Sequence, residues 1–124
     1  MRNARLAALI AAVVLFAPLA LAQTDVQGEW EISFETPVGP AEFTMYIMQT
    51  GPRLSGRLTS DRGEFPLRGT VDGSDVKITW SLPDGDKIVD VTFTVKVDGD
   101  SMKGIARLEK IGEGPLSGQR TDHF

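Results

Sequence analysis

Ile88-Val89-Asp90-Val91-Thr92-Phe93-Thr94-Val95-Lys96-Val97, then Asp98-Gly99-Asp100, then Ser101-Met102-Lys103-Gly104-Ile105-Ala106-Arg107-Leu108, is the stretch that decides the fold. Val89, Val91, Phe93, Val95 and Val97 alternate with Asp90, Thr92, Thr94 and Lys96. A strand points successive side chains to opposite faces, so this alternation describes a strand with one buried and one wet side. Asp-Gly supplies the positive φ of a tight hairpin. Beyond the turn the alternation resumes, with Met102, Gly104, Ala106 and Leu108 on the apolar side. The two segments therefore read as an antiparallel hairpin with a single apolar face.

The same pattern extends outward in both directions. Upstream, segments 28–35 (Trp30, Ile32, Phe34 inward), 41–50 (Phe43, Met45, Ile47), 53–59 (Leu54, Gly56, Leu58), 64–71 (Phe65, Leu67, Gly69, Val71) and 75–82 (Val76, Ile78, Trp80, Leu82) precede the central strand 88–97. Downstream, 101–110 is a seventh strand, 111–115 a Gly-rich loop and 116–120 a short eighth strand, with a frayed tail ending at Phe124. The breaks are turn residues: Pro37-Val38-Gly39-Pro40, Gly51-Pro52, Asp61-Arg62-Gly63, Asp72-Gly73, Asp84-Gly85 and Asp98-Gly99. Every connection is short, so each strand pairs with the one before it; a Greek key would need a long crossover. The expected fold is all-β: an eight-stranded antiparallel up-and-down (meander) β-barrel, whose closure removes the exposed sheet edges. Large apolar-x-Gly recurs at Leu54-Ser55-Gly56, Leu67-Arg68-Gly69, Met102-Lys103-Gly104 and Leu116-Ser117-Gly118. Glycine on the concave face of a small barrel lets strands bend and leaves room inside.

The first 22 residues read differently. Arg2 and Arg5 precede an apolar run from Leu6, which ends in Ala20-Leu21-Ala22. Charge, apolar core and small-x-small form the pattern of a secretory signal peptide, cut after Ala22. Residues 23–124 are then one domain, placed in the periplasm or secreted, with no stable membrane insertion after cleavage. No cysteine occurs, so neither disulfides nor thiol chemistry enter. Loss of Arg2 and Arg5 leaves 11 basic residues (13 less two) against 17 acidic ones. Such an acidic domain repels nucleic-acid phosphates.

Gly28-Glu29-Trp30 at the start of the first strand and Gly118-Gln119-Arg120 at the end of the last resemble the calycin-like (lipocalin/avidin-type) barrels. The repeated Leu-x-Gly and Asp-Gly-Asp turn plan is similar to that of small exported bacterial barrels of this kind. The resemblance implies that Arg120 packs over Trp30 and closes the barrel base, a structural role for both.

For chemistry the sequence offers little. The Asp-Gly turns lack the spacing and the bidentate Glu of a calcium loop, and His123, the lone histidine, has no orienting partner. Gly-x-Ser-x-Gly, a phosphate loop and His-Glu-x-x-His do not occur. No metal, cofactor or catalytic residue is expected, and the chain does not read as an enzyme. Trp80, Phe93, Phe43 and Met45 share the inward face and are the candidate wall of a pocket for a small apolar or amphipathic ligand. The alternative is a filled barrel acting as a protein-interaction module, an inhibitor or envelope accessory. Its protein partner is unknown, and Tyr46 and Met48 on the outer side of the second strand are its candidate patch.

Overall fold

The computed structural model describes residues 24–37 and 39–124. The leader and its cut site lie outside the described residues. Among those described there is no helix, and eight strands follow one another: β1 (Gly28–Thr36), β2 (Gly39–Thr50), β3 (Arg53–Ser60), β4 (Gly63–Asp72), β5 (Asp75–Asp84), β6 (Lys87–Asp98), β7 (Ser101–Leu108) and β8 (Gly112–Asp122). Each pairs antiparallel with its predecessor, and β8 returns to β1, so the sheet is a closed up-and-down barrel. The inward set is the one the alternation predicts. Trp30, Ile32 and Phe34, for example, are buried, whereas Glu31 and Glu35 are exposed.

Four hairpins turn on the same device. Gly51, Gly73, Gly85 and Gly99 have φ between 60° and 67° and open the two-residue turns Gly-Pro, Gly-Ser, Gly-Asp and Gly-Asp. Glycine at the first central position matches the turn to the right-handed twist of its strands. The mid-strand glycines do something else. A Cβ at Gly104 would overlap the Thr94 carbonyl oxygen and approach the Val95 Cα to 2.6 Å. At Gly56 and Gly69 the obstacle is again a neighbouring backbone carbonyl. These residues let strands coil against each other at close range.

Several strand ends lie one or two residues from the sequence reading, and the last hairpin differs most. The seventh strand ends at Leu108 instead of Lys110, where Lys110 adopts φ 65° and turns the chain. The eighth begins at Gly112, so the Gly-rich segment expected to be loop is largely strand. Gly112–Pro115 pairs with β7 alone, since the ladder to β1 begins only at Leu116. On such a one-sided stretch proline is tolerated. The tail is also tied down: β8 continues to Asp122, and His123 Nε2 lies 2.9 Å from Asp100 Oδ1.

Two glycine substitutions separate the two roles. Gly104→Ala is expected to cost about 2 kcal/mol or more by overpacking against a rigid backbone. Gly73→Ala, with nothing within 4 Å of its Cβ, should cost about 1 kcal/mol, from the left-handed φ alone. Urea unfolding midpoints at constant slope check both.

Candidate functional site

The strand ends divide into two sets. Both described termini and the turns at 51–52, 73–74 and 99–100 lie at one end; the β1–β2, β3–β4, β5–β6 and β7–β8 connections lie at the other.

The first end is sealed. Residues 24–27 run across it as a strap. Val26 is fully buried, and its N–H donates to Gln49 Oε1 at 2.8 Å. Gln49 Nε2 donates to the Thr24 carbonyl at 3.0 Å, and the Gln49 N–H donates to Gln27 Oε1 at 3.0 Å. Trp30, also fully buried, donates its indole N–H to the Val26 carbonyl at 2.9 Å. Arg120 binds these parts together. Its Nε donates to Asp100 Oδ1 at 2.9 Å and its Nη1 to the Gln27 carbonyl at 2.9 Å. Nη2 donates to the carbonyls of Asp25 (3.0 Å) and Gly99 (2.7 Å). The guanidinium lies over the Trp30 ring, 4.7 Å from its centroid.

The other end is open. A concavity of about 1100 Å³ lies there, with Phe34, Ala41, Phe43, Leu82, Val89 and Leu108 among its inward lining. Its extent continues over the rim to Glu31 and Glu42 on the outer faces of β1 and β2, so the volume is a mouth joined to an outer groove rather than a closed chamber. Sheet pairing explains the shape. The β4–β5 ladder stops at Arg68↔Thr79, so neither Gly63–Leu67 nor Trp80–Asp84 has a ladder partner on the facing strand. The β1–β8 ladder stops likewise at Phe34↔Leu116. The barrel is thus complete at the sealed end, and at the mouth the β4–β5 ladder stops with several residues left on both strands, whereas β8 stays packed on β1, where a Cβ at Gly114 would overlap the Glu35 carbonyl oxygen.

Five rings cluster beneath the mouth, and two of them, Phe34 and Phe43, line it. Phe34 stacks on Phe43 at 5.7 Å and tilts against Phe93 at 5.3 Å. Trp80 meets Phe43 edge-on at 5.1 Å, Phe93 at 5.8 Å and, across the β4–β5 split, Phe65 at 5.6 Å. Of the residues expected to wall a pocket, Phe43 lines the mouth. Trp80 lies one layer below it, beneath Leu82, and Phe93 is fully buried at the bottom of the ring cluster. Met45 is fully buried one step deeper along β2, toward the sealed end. Phe34 and Phe65 complete the cluster. Their inward parity was visible in the sequence, but nothing in it shows that these two rings converge with the other three.

One polar atom stands out here. Trp80 is 4% exposed, and among the described residues its indole Nε1–H is the buried side-chain donor with no acceptor. The other tryptophan has one, in the Val26 carbonyl. Charge in the lining is mostly negative, with Asp61 and Asp84 at the rim and Glu31 and Glu42 on the outer groove against Arg62, while Lys87 and Lys110 stand at the same end.

On the outer wall, Tyr46 and Met48 are not equivalent. The Arg57 guanidinium covers the Tyr46 ring at 4.3 Å, and Met48 is 51% exposed. Among the described residues no three His, Asp or Glu side chains gather as metal ligands. No protein-family model matches this chain, and no curated protein matches it either.

Arg120→Lys is expected to destabilise the barrel by about 3 kcal/mol, because an ammonium cannot reach three carbonyls and a carboxylate from one buried position. The loss should appear as a lower urea midpoint and as faster hydrogen exchange at the Val26 amide.

Proposed function

We propose that this is an exported, non-catalytic binding barrel of calycin (lipocalin/avidin) type that takes one small apolar or amphipathic molecule at its mouth. The observation that carries the reading is the inequality of the two ends. Eight-stranded barrels sit at the size where side chains can fill the interior or leave space for one ligand. Here the lower half is filled and sealed by a hydrogen-bonded strap, while the upper half stops short of closure over a floor of aromatic rings. Pockets for small molecules are concave and largely apolar, with few polar groups to fix orientation. The inward wall of the mouth, Phe34, Ala41, Phe43, Leu82, Val89 and Leu108, has that composition, and its rim is polar. Its rings and aliphatic side chains offer burial and shape, which is what binding needs, and the rim carboxylates stand out toward solvent. The leader-type N-terminus supports work in the periplasm or outside the cell.

The test is native mass spectrometry of the protein expressed with its leader and recovered from the periplasm without delipidation. A small-molecule adduct on the wild-type barrel is expected. Ala41, small and partly buried in the mouth, is the place to block it: Ala41→Trp should remove the adduct and leave the urea midpoint within about 1 kcal/mol. Met48→Glu, on the outer wall, should leave the adduct in place. A wild-type barrel that carries nothing, and that takes up no apolar probe, overturns the proposal.

A further inference from the structure

The unpartnered indole of Trp80 narrows what the mouth can hold. A buried N–H without an acceptor costs about 1–3 kcal/mol. The barrel carries that cost at one place among its described residues, and the place is not random. Trp80 is the first residue of β5 beyond the end of the β4–β5 ladder, so its backbone flanks that unpaired seam. Leu82, two residues further along the same face, lines the mouth, as does Phe43, whose ring touches the Trp80 ring. The Trp80 side chain therefore belongs to the layer beneath the mouth, on a strand segment that no ladder joins to β4.

Charge adds a second constraint. The lining holds four carboxylates, two at the rim and two on the outer groove, against the Arg62 guanidinium, with Lys87 and Lys110 at the same end; Arg62 has Asp61 as its chain neighbour. A ligand whose acceptor is a carboxylate or phosphate would enter against that field. A neutral oxygen acceptor meets no such barrier.

Resting on the binding reading above, we infer that the occupant is a neutral apolar molecule with a carbonyl, ether or hydroxyl oxygen at its leading end, and that Trp80 Nε1–H donates the hydrogen bond that receives it. Trp80 is then the specificity-determining residue of the site. The rings supply burial for any apolar body of suitable shape, and the indole selects among those bodies by their tip.

Three probes of one shape test this: acetylnaphthalene, isopropenylnaphthalene (a methylene in place of the carbonyl oxygen) and naphthoate, substituted at the same ring position. Calorimetry gives affinities. The protein has two tryptophans, so its ¹H–¹⁵N spectrum holds two indole signals, and that of Trp30 serves as the internal control. The ketone is expected to bind about fivefold tighter than the hydrocarbon, the worth of one neutral hydrogen bond, and to shift the Trp80 indole signal but not that of Trp30. Naphthoate should bind at least about threefold more weakly than the ketone, with the gap narrowing in high salt. Benzothienylalanine at position 80, which replaces the N–H by sulfur at nearly constant shape, should fold with undiminished stability and bind ketone and hydrocarbon equally. Hydrocarbon binding as tight as ketone binding, or ketone binding without a Trp80 shift, overturns the inference and leaves the binding barrel standing. Naphthoate as the tightest ligand overturns it too. If none of the three binds, the binding reading itself fails and takes this inference with it.

Discussion

The return of β8 to β1 is the contact on which the rest of this structure depends. A chain of this length without cysteine has no covalent brace, so its stability rests on apolar burial and backbone pairing. An open sheet of eight strands would leave two unpaired edges and a wide apolar face. Closure removes both, and one residue secures it. Arg120 stands at the end of β8 beside Trp30 of β1, its partner in the ladder. A buried guanidinium is costly unless its donors are filled, and here four hydrogen bonds reach the strap and the β6–β7 turn. Asp100, the carboxylate of the set, is half exposed. The anionic partner therefore keeps much of its hydration while the cation is held by fixed dipoles.

The same closure makes the two ends unequal. Both described termini lie at the sealed end, so spare chain is available there to form the strap. At the mouth, among the described residues, only the hairpin connections are present. Ladders join all neighbouring strands in the sealed half, with one irregularity between Glu29 and Trp30, whereas the β4–β5 ladder stops early toward the mouth. Side-chain packing across the β4–β5 seam, above all Phe65 against Trp80, stands in for backbone hydrogen bonds. Regions held by side chains alone open at lower free energy than regions held by continuous ladders. The proposed ligand would thus enter at the half held by fewer backbone hydrogen bonds, away from the strap that seals the other end.

Most of the architecture was legible in the residues. Alternation is a local signal, and in this chain it is clean: Val89 to Val97 reads inward in the sequence and lies inward in the structure. The turns were legible for the same reason, since Gly73, Gly85 and Gly99 carry their φ requirement in their identity. Gly112–Pro115 was misread because Gly and Pro normally end strands. Its strand character comes from pairing with Ile105–Leu108, a non-local fact. The mid-strand glycines were assigned to open space for similar reasons. Their periodicity was visible, but the closeness of Thr94 and Lys77 backbone was not. The candidate site was legible as a set of inward aromatic residues. The point along the barrel at which those residues meet the mouth depends on where the ladders stop, and no local pattern encodes that.

The five-ring cluster poses a physical question that packing alone does not answer. Phe34, Phe43, Phe65 and Phe93 bring only carbon to the cluster, and core positions tolerate exchange among side chains of similar volume. Trp80 brings a polar atom into the same environment, where nothing accepts its hydrogen. Trp30 shows that this chain can satisfy a buried indole when the fold alone requires it, through the Val26 carbonyl. If Trp80 served only to fill volume, its donor would be a net loss of stability at a position where carbon would suffice. If it serves to recognise an oxygen at the tip of an apolar molecule, the same loss becomes discrimination, because the cost carried in the free barrel is returned only by a ligand with an acceptor. The placement of Trp80, on the unpaired segment of β5 and in ring contact with Phe43 of the mouth, favours the second account.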